Sequence, residues 1–304
     1  MRLFNLLFQT FWTVLLSTSC ALAVAGQAVQ VKHKGVTVEV SADPHPLIVF
    51  DPGVMDTLNT LGVRIEGIPE AKWYGALAKF NDRHYLRTGS LFEPDYEAVH
   101  AAKPALVIVA DRSAPKYEQL SRIATTVDLT SDPKDLVREV HRQTRMLARL
   151  FDKDQQGEQA LARLDASIEK LRHRAAGAGT GLIVMTAGGK LSAYGAGSRF
   201  GVLHDSFGVQ LADPALQASV HGQVISNEYI AELDPDWLFV IDRDAALGEA
   251  ASPAQQLMDN ELIRQTTAWQ SGHLVFLEPV DWYMSGLSGV GAMPRSVDAL
   301  LKVL

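Results

Sequence analysis

The sequence holds one cysteine, Cys20, and none after it. Downstream of it the chain can carry no disulfide, no thiolate nucleophile and no cysteine-held iron–sulfur cluster. Positive charge is also scarce: 28 Lys and Arg stand against 35 Asp and Glu, a net charge of -7. Such a surface is a poor match for nucleic acid, whose phosphates require a basic face. Past the N-terminal segment no apolar run is long enough to span a bilayer. The chain lacks Gly-x-Ser-x-Gly, a Walker A loop, His-Glu-x-x-His and a dinucleotide fingerprint. Its nine histidines are scattered, with no local zinc spacing. Catalysis is therefore not expected, and an exported hydrolase or metalloenzyme is the weakest alternative.

The N-terminus reads as an export signal. Met1-Arg2 supplies a charged start, Leu3 to about Leu22 is apolar, and Ala21-Leu22-Ala23 and Ala23-Val24-Ala25 fit a signal-peptidase site. Residues 1–25 are expected to be a Sec signal peptide cleaved after Ala25. An uncleaved membrane anchor is the alternative, since the run approaches the ~20 residues that span a bilayer. Cys20 is a candidate lipid anchor, although Leu16-Ser17-Thr18-Ser19 lacks the usual Leu three residues before the cysteine.

With 47% hydrophobic residues the remainder can build a sizeable core. Leu47–Phe50, Leu106–Val109, Leu182–Met185 and Trp237–Ile241 are short continuous apolar runs. Runs of this kind suit parallel strands covered on both faces. Helical patterns lie between them; Asp51-Pro52 opens one that stops at Gly62. Alternation of strand and helix predicts an α/β fold with mainly parallel sheets flanked by helices. The stretch from about Asp132 to Ala175 is charged and free of proline after Pro133, and reads as two helices, the second over Gln156–His173. It divides the chain into a lobe over 29–150, a connecting helix over 151–177 and a second lobe over 178–304.

An internal echo supports two related lobes. Glu97, Pro104 and Asp111-Arg112 share their spacing with Glu228, Pro235 and Asp242-Arg243. In each unit a helix begins near the Glu, with Pro94 or Ser226 as its start signal, and a strand returns to the Asp-Arg pair. Glu and Arg then share the edge where open α/β sheets bind ligands. Two such edges face to face would make a cleft.

Three arginines stand in loops or turns: Arg112, Arg243, and Arg199 within Gly195-Ala196-Gly197-Ser198-Arg199-Phe200-Gly201, where Ser198 is placed to cap the following helix. Any one alone reads equally well as a solvated surface residue. Converging on one cleft, they would suit a multiply charged anion, because guanidinium stays charged and bonds paired oxygens. His221, in a loop, and Tyr283, beside Trp282, are uninformative alone.

Taken together, His45-Pro46-Leu47-Ile48-Val49-Phe50-Asp51-Pro52-Gly53, Pro94-Asp95-Tyr96-Glu97, Lys103-Pro104 and Asp234-Pro235-Asp236 resemble the iron–siderophore periplasmic binding proteins of ABC importers. Ala105 departs from the family's usual Pro-Asp strand start. The resemblance implies two lobes joined by one rigid helix, small hinge closure, a monomer and no resident cofactor. Within the family the chain is most similar to the catecholate branch. That likeness implies Arg112, Arg199 and Arg243 as ligand-binding residues, His221 and Tyr283 as direct iron ligands, and Glu97 and Glu228 as contacts to the permease, which couples to an ATPase. A ferric tris-catecholate, at about 3-, would be offset by three fixed cations. Where a siderophore leaves two iron positions open, imidazole and phenolate suit hard Fe(III). Haem, cobalamin or a hydroxamate siderophore remain alternative cargoes. A zinc or manganese carrier would need clustered His and carboxylates, which are not visible.

Overall fold

The computed structural model describes residues 28–249 and 253–304. The expected signal peptide and Cys20 lie outside the described residues.

A hairpin comes first, β1 (Ala28–His33) against β2 (Val36–Ser41), a feature the sequence reading had not placed. Then β3 (Leu47–Val49) leads into α1 (Pro52–Leu61). Asp51 caps α1 by accepting from the Val54 N–H at 2.9 Å, and Gly62 ends it in the left-handed region at φ 73. The chain continues through β4 (Gly67–Ile68), β5 (Leu86–Arg87), α2 (Tyr96–Ala102), β6 (Leu106–Val109), α3 (Tyr117–Ser121) and β7 (Thr126–Asp128). These strands form one parallel sheet in the order β5-β4-β3-β6-β7. Its central residues are buried on both faces. Leu47, Val49, Leu106 and Ile108 pack with α1, while Ile48, Val107 and Val109 pack with Val99 and Leu120. Burial on both sides is why these runs read as unbroken apolar segments.

Two helices follow, α4 (Leu136–Leu150) and α5 (Asp154–Ala175). The second extends past both ends of the expected Gln156–His173. Leu161, Leu164, Ile168 and Leu171 form its buried stripe. Gly157 lies against α4 and α1, whereas the stripe joins Val297 and Leu300 in the core of the second half.

The second half adds β8 (Thr180–Ala187), β9 (Lys190–Tyr194), α6 (Val202–Asp205), β10 (Gln210–Leu211), β11 (Gln223–Ile225), α7 (Asn227–Leu233), β12 (Trp237–Asp242) and α8 (Arg243–Leu247). It closes with α9 (Ala254–Met258), α10 (Glu261–Arg264), α11 (Thr267–Gln270), β13 (Leu274–Phe276), a wide π-helical turn over Val280–Met284 and α12 (Ala292–Leu300). The strand order is β11-β9-β8-β12-β13, with β10 also beside β8. The β8–β9 and β9–β11 pairs are antiparallel and the rest are parallel. This is the expected two-lobed α/β architecture with mainly parallel sheets. The halves are not cleanly separate in space, because Ala246, Val280 and Met284 sit in the core of the first.

The echo has a structural counterpart. Both α2 and α7 span seven residues and end on left-handed residues, Lys103 at φ 47 and Asp234 at φ 45, each just before the proline. Ser226 caps α7 as expected, but Asp95 rather than Pro94 starts α2, by accepting from the Ala98 N–H.

Gly157 is the tight point of the α4–α5 joint. A Cβ there would stand 2.7 Å from the Ala148 Cβ. Gly157→Ala would gain about 1 kcal/mol of helix propensity. Overpacking costs about 1–3 kcal/mol and is expected to win. The urea midpoint should fall, and adding Ala148→Gly should recover part of the loss.

Candidate functional site

The parallel strands place their carboxyl ends along one edge of each lobe, and the chain leaving β6 and β12 there carries Arg112 and Arg243, whereas Arg199 follows β9, which runs antiparallel to β8. Because β5 and β6 lie parallel in one sheet, α2 must begin at that edge; the same holds for α7 between β11 and β12. Glu97 and Glu228 therefore stand at the two lobe edges, both exposed and each in a first helical turn.

Tyr283 is where the two halves meet. Arg112, just beyond β6, donates Nη1 to the Met284 carbonyl and Nη2 to the Tyr283 carbonyl, both at 3.0 Å. Arg199, in the loop after β9, donates Nη2 to the same Tyr283 carbonyl at 2.6 Å. Arg243, the first residue of α8, donates Nε to the Tyr283 phenol oxygen at 3.3 Å. The three guanidinium carbons stand 5.2, 4.7 and 5.9 Å from the Tyr283 ring centroid. Each is within cation–π reach.

This charge concentration changes the tyrosine. Burial alone would raise its phenol, but Arg112, the Arg243 hydrogen bond and Arg199 together hold it below the ordinary tyrosine value. Burial, with the charge of Arg112, lowers Arg199 from its usual value. The cations are compensated unequally. Arg243 reaches Asp244 at 2.9 Å and Glu249 at 3.3 Å. Among the described residues, neither Arg112 nor Arg199 forms an ion pair with a carboxylate. What the arrangement offers a ligand is therefore a half-buried phenol beside two cations that form no ion pair among the described residues. That chemistry suits an anion with several oxygens.

A family model described as Periplasmic binding protein matches residues 47–280. The chain belongs to this family. It is 34% identical to the petrobactin-binding protein YclQ of Bacillus subtilis, over 98% of this chain and 97% of that one. It is 30% identical to the ferric-anguibactin-binding protein FatB of Vibrio anguillarum, over 94% of this chain and 92% of the other. Among solved structures, the catecholate-siderophore binding protein VctP of Vibrio cholerae superposes with a TM-score of 0.86 at 29% identity, covering 91% of this chain and 100% of VctP. The likeness expected from the sequence thus holds at the level of family, and these relatives are named for binding petrobactin, ferric anguibactin and catecholate siderophores.

Within this periplasmic binding protein, the structure brings Arg112, Arg199, Arg243 and Tyr283 together. It does not join His221 to them by any hydrogen bond among the described residues. His221 is exposed; its N–H donates to Ser219 Oγ at 3.2 Å, and its carbonyl accepts from the Tyr194 hydroxyl at 3.1 Å. Tyr194 is buried, and burial pushes its phenol up to about 12. Its ring packs on Gly222, whose Cβ position would lie 2.8 Å away. It also meets Phe200 at 4.6 Å, and Phe200 meets Trp282 at 6.5 Å between centroids. One aromatic row thus lies beneath the turns that carry His221, Arg199 and Tyr283. Sequence reasoning had given neither Trp282 nor Tyr194 a role of its own. The expected cap by Ser198 is absent: its Oγ donates to the Gly195 carbonyl at 2.6 Å and closes the glycine loop on itself. Among the described residues, no cluster of three His, Cys, Asp or Glu is arranged to hold a bare metal ion.

Asp51 lies at the end of β3, buried, on the ligand edge. Burial and the charge of Asp111 push its carboxyl up to about 7, against the pull of the Val54 N–H and Arg112. Its folded value thus lies above its ordinary 3.8, so the folded state holds this proton more tightly. Asp51 costs no stability below about pH 4, and its cost grows as pH rises toward 7, by at most about 1.4 kcal/mol per pH unit. His33 and His204, whose values burial lowers, act with the opposite sign as pH falls. Asp51→Asn keeps a capping oxygen. Between about pH 5 and 7.5 the thermal midpoint of the variant, relative to wild type, is expected to rise.

Proposed function

We propose that this protein captures a ferric siderophore of the catecholate type outside the cytoplasmic membrane and delivers it to the permease of an ABC importer. The observation that carries the reading is the gathering of Arg112, Arg199 and Arg243 around Tyr283, with Arg112 donated by one half of the chain and the others by the second. A ferric tris-catecholate, at about 3-, gains from each uncompensated guanidinium in a partly dry cleft. Less anionic cargo, such as a hydroxamate complex, would use these cations less. The names of the relatives, petrobactin, anguibactin and catecholate siderophores, point the same way.

Where the siderophore leaves two iron positions open, Tyr283 and His221 supply them. The phenol is already held below its ordinary value, which lowers the cost of giving up its proton to iron. His221 reaches the metal from its exposed turn. Iron is cargo here, and the protein works without a resident cofactor, as a monomer and without catalysis. Glu97 and Glu228 meet the permease, one from each lobe. Residues 1–25 direct export, with Cys20 as a candidate lipid anchor. Residues 29–150, 151–177 and 178–304 serve as lobe, connecting helix and lobe.

Quenching of tryptophan fluorescence by ferric bis- and tris-catecholates is expected to show sub-micromolar binding. Tight binding of a hydroxamate complex or haem, with none of catecholates, would overturn the cargo assignment. Arg199→Ala should weaken tris-catecholate binding by about 10- to 100-fold, the loss of a charged hydrogen bond worth about 1.5–3 kcal/mol. Glu97→Ala combined with Glu228→Ala should leave binding in solution unchanged and abolish uptake of radio-iron siderophore by cells.

A further inference from the structure

The turn that presents Tyr283 is held from behind as well as in front. Arg295, in α12, donates Nε to Asp281 Oδ2 at 3.0 Å and Nη2 to Asp281 Oδ1 at 2.5 Å. The same Nη2 reaches Asp56 Oδ1 at 2.8 Å. Asp56 belongs to α1, in the other lobe, and is completely buried. Its second oxygen accepts from the Gly291 and Ala292 N–H groups at 2.8 and 2.7 Å. Next to it, Thr57 Oγ1 accepts from the Val290 N–H at 3.2 Å. Glycine is required where this strap crosses: a Cβ on Gly289 would sit 2.3 Å from Asp56 Oδ2, and one on Gly53 would sit 1.9 Å from Ser288 Oγ.

We infer that Arg295 is a positioning residue of the binding site: by bridging Asp281 and Asp56 it straps the Tyr283 turn to helix α1 of the opposite lobe and so fixes where the phenol stands in the cleft. Arg112 grips the Tyr283 and Met284 carbonyls from the cleft side, two residues along from Asp281. The turn is thus held between two arginines, both of which tie it to the first lobe.

The two carboxylates depend on Arg295 to different degrees. Without it, Asp56 keeps two backbone N–H donors, so α12 stays docked on α1. The Asp281 carboxylate, buried and with Arg295 as its hydrogen-bond donor, loses its partner. A buried carboxyl left without its hydrogen-bond donor is costly, and the turn is expected to shift until Asp281 finds another partner. The damage should therefore centre on Tyr283, two residues away: Arg243 keeps Asp244 and Glu249, and Arg199, released from the Tyr283 carbonyl, stays available to an anion.

This rests on the reading of Tyr283 as an iron ligand, and the test separates the two. Arg295→Gln, Asp281→Asn and Tyr283→Phe are titrated with a ferric bis-catecholate, which leaves iron positions open, and a ferric tris-catecholate, which fills them. The strap predicts that Arg295→Gln and Asp281→Asn weaken the bis-catecholate by about ten-fold and shift its charge-transfer band in the direction Tyr283→Phe does. Tris-catecholate affinity should hold within about two-fold. Equal loss for both ligands, or no change for either, overturns the inference. An unmoved band in Tyr283→Phe overturns the iron-ligand reading instead. Should these variants fail to fold, Arg295→Lys, which keeps a cation between Asp281 and Asp56, decides: a smaller loss confined to the bis-catecholate supports the strap, and an equal loss for both ligands overturns it.

Discussion

The backbone carbonyl of Tyr283 accepts hydrogen bonds from Arg112 and Arg199, and the site is organised around that shared acceptor. Like charges brought this close repel, and burial strips them of solvent. The carbonyl, the face of the phenol ring and, for Arg243, two carboxylates offset part of that cost. The remainder is left for an anionic ligand to relieve. A cluster of cations stable without ligand, yet incompletely neutralised, is what an anion receptor needs.

The position of that carbonyl depends in turn on contacts distant in sequence. The Val280–Met284 turn is set by the aromatic row beneath it, by Arg112 in front and by the Asp281–Arg295–Asp56 bridge behind. Each tether comes from a different part of the chain, which gives the phenol a defined height despite its place in a loop. His221 is arranged otherwise. Its turn is fixed through the backbone by Tyr194 while its ring stays in solvent.

Much of the architecture was legible because burial on both faces leaves a local mark. The apolar runs at Leu47, Leu106, Leu182 and Trp237 all became strands, and the charged stretch before Ala175 became two helices. The echo around Glu97 and Glu228 was readable since each unit is short and its residues act within it. The β1–β2 hairpin was missed because alternating Val and polar residues near an export signal carry little contrast. Arg112, Arg199 and Arg243 could be named from their positions at strand ends and from family likeness. That they would spend donors on backbone carbonyls, and that Arg243 would already hold two carboxylates, could not. Asp56, Asp281 and Arg295 left no local signal at all: their meaning lies in a contact between residues more than two hundred apart. Ser198 misled for a related reason, since its hydroxyl chose a nearer acceptor than the helix it precedes.

The crossing of Ala246, Val280 and Met284 into the core of the first half has a consequence for how the protein comes apart. A lobe with a complete core of its own could melt independently of its neighbour. Here the first lobe is missing part of its interior unless the last third of the chain is folded against it. Cutting the polypeptide at α5 would therefore leave an apolar hole in one fragment and exposed apolar side chains in the other. The halves are expected to lose structure together, as one cooperative unit, and during synthesis the earlier half must wait for the later one to finish its interior.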